Sequence, residues 1–451
     1  MLQNNPILRV SSPHMLNKKF FTIFILSVFV LIFFISHNYS LIDDPQGSLC
    51  TRVFPESVEC IKKEEPVLHY LAYTDRKTFL GTVFNTEDTA PKISGYGGLI
   101  SMAVGLSPEG RIEEIKINRH METVSYTGDL NIFTRKFIGK TKDSPLILGQ
   151  DIDTISGATI SSKAIIETIR QSINLISGGQ KNTGSLPAQL PIIEMIIVFI
   201  IAMIALAGLI KQSPSLRWMA LFSGLFYLGF AKNTMFSIIH PVNAVLGQFP
   251  SLSSAPLLWT LLLVSIGLAF IFGNLYCGSI CPFGAIQEII FGVGRKLKLP
   301  ILKESETFSE RRFLKYSVLL IVLLIALIFL SSSALNIELF IMFFSRKASL
   351  TGWIFILLAL SSSLITYRLW CRYFCPAGML IGLLGQFSFY KINCKEPKCK
   401  ACSSCVNNCP TRAIRRKKDK LTIDQSECIR CGKCLTKCLK ENYKLLPFYE
   451  K

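Results

Sequence analysis

Two four-cysteine runs near the end of the chain constrain it more than any other feature. Cys399-x2-Cys402-x2-Cys405-x3-Cys409-Pro410 is followed by Cys428-x2-Cys431-x2-Cys434-x3-Cys438. Three thiolates at this spacing wrap a short loop around an iron–sulfur cubane, and the fourth arrives from the other run. The pattern assigns Cys399, Cys402, Cys405 and Cys438 to one [4Fe–4S] cluster, and Cys428, Cys431, Cys434 and Cys409 to a second. Zinc held by CxxC pairs is the competing reading, disfavoured because zinc sites rarely use two copies of this run. Thirteen of the 15 cysteines follow residue 276, a distribution that suits metal and not a disulfide scaffold. Cys394 has no partner by spacing. A two-cluster unit with no catalytic constellation around it is suited to one-electron transfer.

The rest of the chain is governed by hydropathy. Half of the 451 residues are hydrophobic, 18% are charged, and mean hydropathy is +0.41, the composition of an integral membrane protein. Apolar runs at Phe20–Ser36, 192–210, 218–231, 257–276, 316–330 and 353–369 predict about six helical spans. The first has no small-x-small cleavage site after it and reads as an uncleaved anchor; the third is short and interrupted at Lys232. The expected layout is a cytoplasmic segment and anchor (1–36), an exterior α+β domain (37–190), a five-span membrane domain (191–376) and a cytoplasmic ferredoxin-like tail (377–451). Charge agrees with that orientation. The formal net charge is +19, yet residues 37–190 balance to −2, while the tail from 376 onward holds 16 basic and 6 acidic residues. Basic loops and tail inside, with a neutral domain outside, satisfy the positive-inside rule. A nucleic-acid partner is not needed to explain the charge, and no helix-turn-helix signature is present.

Within the membrane domain a motif is duplicated. Leu275-Tyr276-Cys277-x3-Cys281-Pro282-x-Gly284 recurs as Leu369-Trp370-Cys371-x3-Cys375-Pro376-x-Gly378. Positions i and i+4 share one face of a helix end, so the two copies at one membrane face would present four thiolates. A further redox centre is favoured over buried packing cysteines, which are also common. Cys50 and Cys60, in the exterior domain, suit a disulfide in an oxidising compartment.

That domain shows short alternating runs at Leu99–Val104 and Ile112–Ile117, read as strands. A helix is expected after Gly157, running to about Ile176, and a linker at Ser177–Pro191. The string Asp153-Thr154-Ile155-Ser156-Gly157-Ala158-Thr159 is a turn opening that helix, whose N-terminus attracts phosphate. Upstream, Gly95-Tyr96-Gly97-Gly98 permits close backbone approach to a ligand. The Asp-x-x-Ser-Gly-Ala-Thr string resembles the flavinylation motif of FMN-binding domains in sodium-pumping quinone reductases and Rnf complexes. The resemblance implies FMN carried on Thr159 through a phosphoester bond, installed by a flavin transferase. Gly95 to Gly98 and His120-x-Glu122-Thr123 are similar to the same family, although Val124-Ser125-Tyr126 stands where that family usually has Pro-Gly.

The whole arrangement resembles the NosR/NirI-type membrane iron–sulfur flavoproteins, and it is also similar to relatives that accompany reductive dehalogenases. The resemblance implies an inner-membrane electron conduit between cytoplasmic clusters, or a quinol pool, and a covalent FMN on the outer face. It would supply an exported reductase or its maturation factors, with a cytoplasmic donor as the other partner. A redox-sensing regulator and a self-contained quinone-linked oxidoreductase stay open as alternatives. The hydrocarbon core, about 30 Å thick, leaves a gap between tail and flavin. A quinone, or a haem on His37 and His240, are the candidates to bridge it.

Overall fold

The computed structural model describes residues 47–89, 93, 95, 99–120, 122, 127, 130–153, 155, 158–178, 192–245, 252, 255–302, 314–329, 338–346, 348–394, 404–417, 420–437 and 443–447. After the helix α1 (Gly47–Val53), five strands form an antiparallel meander. They are β1 (Glu59–Lys63), β2 (His69–Tyr73), β3 (Phe79–Asn85), β4 (Ser101–Leu106) and β5 (Ile112–Arg119). Both expected strands are present as β4 and β5, each extended at its C-terminal end. The sheet is covered on both faces, which is why β4 is buried at every position. On one face Met102, Val104 and Ile115 meet Phe133 of α2 (Leu130–Thr134) and Ile165 and Ile169 of α3 (Thr159–Ile176). On the other, Val53 of α1 packs against Val83 and Ala103, so alternate residues of β4 enter different cores. A Cys50–Cys60 disulfide ties α1 to β1. Helix α3 occupies the expected stretch.

From Ile192 the chain is helical. Helix α4 (Ile192–Ile210) and the run of α5 (Pro214–Ser223) into a π-helical stretch (Gly224–Ala231) form a hairpin. Ser213 accepts a hydrogen bond from the Leu216 amide and Pro214 occupies the first turn, a strong start signal. At the far end of the hairpin the helical run stops at Ala231, as the interruption at Lys232 leads one to expect, and Lys232 Nζ lies 2.5 Å from Glu194 Oε1. Then come α6 (Pro256–Phe272), α7 (Leu275–Ser279), α8 (Pro282–Lys296), α9 (Leu314–Phe329), α10 (Leu339–Ser345), α11 (Leu350–Ser362), α12 (Leu369–Tyr373) and α13 (Pro376–Gly385).

The expectation of six spans is not reproduced. Among the described residues only Ile192–Ile210 is by itself long and apolar enough to cross a membrane; α10 and α11 qualify only as a pair, bent by 110°. The remaining apolar helices are shorter. The run expected at 353–369 ends as a helix at Ser362, where Ser361, Ser362 and Ser363 turn their hydroxyls back onto the carbonyls of Leu358 and Ala359, competing with the backbone ladder. Helix α6 stops at Gly273, whose φ of +76° leaves the helical region. The anchor expected at residues 20–36 and most of the linker lie outside the described residues. The exterior of the helical part is nonetheless apolar. Ile193, Phe199, Met203, Phe226, Leu263 and Leu357 are 51–75% exposed.

The C-terminal unit is small. Strand β6 (Tyr390–Cys394) pairs with β9 (Tyr443–Pro447), and β7 (Ile414–Lys417) forms a hairpin with β8 (Lys420–Ile423). Ile392, Cys405, Ile414 and Leu435 make its core. With so little apolar surface to bury, such a unit relies on added cross-links for stability.

Candidate functional site

The duplicated cysteine motifs fold alike. Cys277 lies in α7 and Cys371 in α12, while Cys281 and Cys375 stand at the N-caps of α8 and α13 with Pro282 and Pro376 in the first turn. The pair in each motif is therefore not carried on one helix face as expected. Proline disfavours helical geometry in the residue before it, so each second cysteine is extended (ψ 121° and 109°) and the chain turns between the two thiols. The turn still serves the same end. All four cysteines line one cavity of about 60 Å³, larger than a single water requires.

The wall of this cavity is held by a buried ion cluster that the sequence reading missed. Arg217 donates to both Glu288 oxygens (3.0 and 2.7 Å), and Arg368 donates to Glu288 Oε2 (2.7 Å). The two guanidiniums also reach the motif backbone: Arg217 bonds the Gly278 carbonyl and Arg368 the Cys277 carbonyl. Gln287 donates to Cys371 Sγ (3.0 Å) and accepts from the Trp370 amide, and the Gly378 amide donates to Cys375 Sγ (3.3 Å). Two arginines against one carboxylate leave one positive charge beside four thiols, and donors already point at sulfur. Both features would stabilise an anionic thiolate–iron centre held by these cysteines. The only sequence signal for the cluster was a charge in each of three largely apolar stretches.

In the C-terminal unit Cys409, Cys428, Cys431 and Cys434 line a second cavity of about 20 Å³. These are the four cysteines that the crossed-ligand spacing groups together. Burial pushes the Cys428 thiol up, with Arg430 pulling against it, and burial reinforced by the neighbouring cysteines does the same to Cys434. Such thiols stay protonated until a metal takes the place of the proton. Of the other group only Cys405 is described, buried in the small core; Cys399, Cys402 and Cys438 lie outside the described residues. Cys394 ends β6. Among the described residues no three His, Cys, Asp or Glu side chains close on a point as a single ion would require. A cubane asks instead for thiolates spread around its corners. Cys431→Ser is expected to remove about one cubane's iron, and Cys402→Ser the other tail cubane's; an unchanged iron assay would refute the assignment.

The flavin strings converge in the sheet domain. Thr159 is the first residue of α3, and its N-cap, Ala158, supplies no side-chain hydrogen bond to the first turn, leaving those amides available to an anion. Ser162 Oγ accepts from the Ile155 amide and donates to the Ala158 carbonyl, fixing the turn before the helix. Glu122, 2% exposed, accepts from Ser161 Oγ at 2.6 Å. A Cβ at Gly95 would stand 2.2 Å from Glu122 Oε1, so the glycine lies directly against that carboxylate. Gly95, Glu122 and the first turn of α3 thus share one spot, and half-buried His120 follows β5. A helix start with no side-chain cap, beside Gly95 and a fixed acceptor, fits a mononucleotide. Tyr96, Gly97, Gly98, Thr123, Ser156 and Gly157 lie outside the described residues. His240 is buried in the helical part and accepts from the Ser237 amide through Nδ1 (3.2 Å); His37 lies outside the described residues.

Comparison with known families agrees with this division. An FMN-binding domain matches residues 95–174, a 4Fe-4S binding domain matches 254–300 and 348–392, and a 4Fe-4S dicluster domain matches 398–442. The second of these covers both copies of the duplicated motif. Among curated relatives, regulatory protein NosR of Stutzerimonas stutzeri is 31% identical over 38% of this chain and 24% of its own length. Protein NirI of Paracoccus denitrificans is 30% identical over 47% and 32%. The putative electron transport protein YccM of Escherichia coli is 30% identical over 44% and 57%. The chain thus spans a quarter to somewhat over half of these relatives. With an FMN-binding domain joined to two kinds of 4Fe-4S domain, and NosR and NirI among its relatives, the chain is similar to the NosR/NirI-type membrane iron–sulfur flavoproteins.

Proposed function

We propose that the protein is a transmembrane electron conduit, carrying electrons between iron–sulfur clusters at the cytoplasmic side and a covalent FMN at the outer side. Thr159 would hold the flavin, the tail cysteines would hold two cubanes, and Cys277, Cys281, Cys371 and Cys375 would hold a third centre. The clusters supply one-electron steps, and the flavin, which takes one or two electrons, joins them to an acceptor. The observation that carries this reading is the arrangement of helix ends. Arg217, Gly278 and Glu288 meet at one end of the α4–α5 hairpin, with both cysteine cavities nearby. Glu194 and Lys232 meet at the other, next to where the chain arrives from the flavin domain. The disulfide supports an oxidising location for that domain, and the basic tail supports the opposite one. The exposed apolar side chains of α4, α5, α6 and α11 support contact with lipid. Helix α6, 17 residues long, would reach about 26 Å, enough to cross with modest adjustment of the bilayer.

The protein's own residues define the rest of the mechanism. Arg217, Arg368 and Glu288 hold the two motifs in register and keep a positive charge at the cysteines. Glu122 and Gly95 shape the flavin cradle. An exported reductase, or the machinery that matures one, is the proposed acceptor, and a cytoplasmic carrier or the quinol pool the proposed donor. A relative named as a regulatory protein favours a second reading, in which electron flow reports redox state. Purified protein in sealed vesicles separates the two. With a membrane-impermeant reductant outside and ferricyanide trapped within, sustained reduction is expected from a conduit. A single turnover's worth of electrons would identify a sensor.

A further inference from the structure

The two described cysteine cavities share a wall. Thr411 and Ile429 line both the Cys277/Cys281/Cys371/Cys375 cavity and the Cys409/Cys428/Cys431/Cys434 cavity. Ile429 sits between Cys428 and Cys431, inside the loop that wraps the tail site. Its carbonyl presses on the first duplicated motif: a Cβ at Gly278, the residue after Cys277, would lie 1.7 Å from Ile429 O. No other residue type allows this approach.

The contact is bolted on every side. Before Ile429, Asn274 Nδ2 donates to the Ser426 carbonyl (2.8 Å), Tyr316 donates to Ser426 Oγ (3.3 Å), and Lys315 pairs with Glu427, both side chains about 95% buried. After it, Arg430, 1% exposed, donates from Nε to the Phe272 carbonyl at 2.7 Å. On the Thr411 side, Arg372 Nη2 reaches the Thr411 carbonyl (3.4 Å). A buried pair such as Lys315–Glu427 is costly to separate, because each charge would be left uncompensated. The tail is thus a fixed part of the helical end, and not a carrier that docks and leaves.

We propose that these two sites form a fixed electron-transfer pair joined through Ile429 and Thr411, and that Gly278 is the positioning residue that sets their separation. The proposal rests on the reading that both sites hold iron–sulfur centres. Passage of one electron oxidises the donor site and reduces the acceptor site; no bond forms or breaks and no proton moves. Electron tunnelling weakens steeply with distance, so one glycine holding two walls in contact controls the rate of the junction.

The test uses the full chain in detergent, with iron and acid-labile sulfide counted first and dithionite as the reductant. In the reduced wild-type protein the paramagnetic signals of the two sites are expected to interact, seen as splitting and faster spin relaxation. Gly278→Ala should keep the iron and weaken that interaction severalfold, and amide hydrogen exchange around 426–431 should rise. Asn274→Leu removes a bolt without adding an atom at the contact; it should act in the same direction if Gly278→Ala fails to accumulate. Both sites loaded and paramagnetic with no interaction would overturn the pairing. An interaction unchanged in Gly278→Ala would overturn the role of Gly278. Iron sufficient for only the two tail cubanes would overturn the underlying cluster reading, and the assay shows which of the two has failed.

Discussion

Thr159→Val is expected to abolish covalently held flavin completely, with the fold retained. Valine keeps the β-branch and nearly the volume of threonine, and at the first position of α3 neither residue's χ1 preference is challenged by a preceding turn. The change removes the hydroxyl to which a phosphoester would form and little else. The readout is fluorescence comigrating with the denatured chain. Loss in Thr159→Val with retention in Thr159→Ser would fix the attachment at this hydroxyl, whereas fluorescence persisting in the valine variant would move it elsewhere. Because Glu122 and Ser161 are untouched by the substitution, the sheet domain should unfold at the wild-type temperature.

The second large effect is expected at Glu288. Its carboxylate is the shared partner of Arg217 and Arg368, and all three side chains are at least 93% buried. Glu288→Gln removes the one carboxylate with which both buried guanidiniums pair. Breaking a buried pair by removing one partner costs about 3–5 kcal/mol, a large share of the stability of an ordinary domain. Thermal unfolding in detergent should show a drop of that size, accompanied by loss of iron from the Cys277/Cys281/Cys371/Cys375 cavity, since both arginines also hold the motif backbone. A variant with the wild-type melting temperature and full iron would mean that the cluster is not a structural centre.

Much of this architecture was legible because it depends on neighbours in sequence. The alternation in β4 and β5, the turn before α3 and the CxxC spacing of the tail are local patterns, and each has a local cause. Cys50 and Cys60, ten positions apart, are a near-local pair and were read as one. The contacts that were hidden join distant segments. Glu288 lies 71 positions from Arg217 and 80 from Arg368, and a lone charge in an apolar run does not name its partner. The approach of Gly278 to Ile429 has no sequence signature at all, since a glycine needed for packing looks like any other. The duplicated motif is legible in the sequence, but the Cys-x3-Cys spacing alone suggests one helix face, which the following proline disfavours. Likewise the apolar stretch from Trp353 to Leu369 satisfied a hydropathy window while its three serines ended the helix early.

The duplicated cysteine–proline turn has a consequence for how the protein is made. Each copy brings two sulfurs to one cavity, so the proposed centre would be a seam stitched from halves that lie about ninety residues apart in the chain. Neither half is a complete site, and iron held there would act as a rivet across the bundle. Assembly of the helices and loading of that site should therefore be a single cooperative event, with iron-starved cells accumulating a chain whose two halves come apart easily under protease.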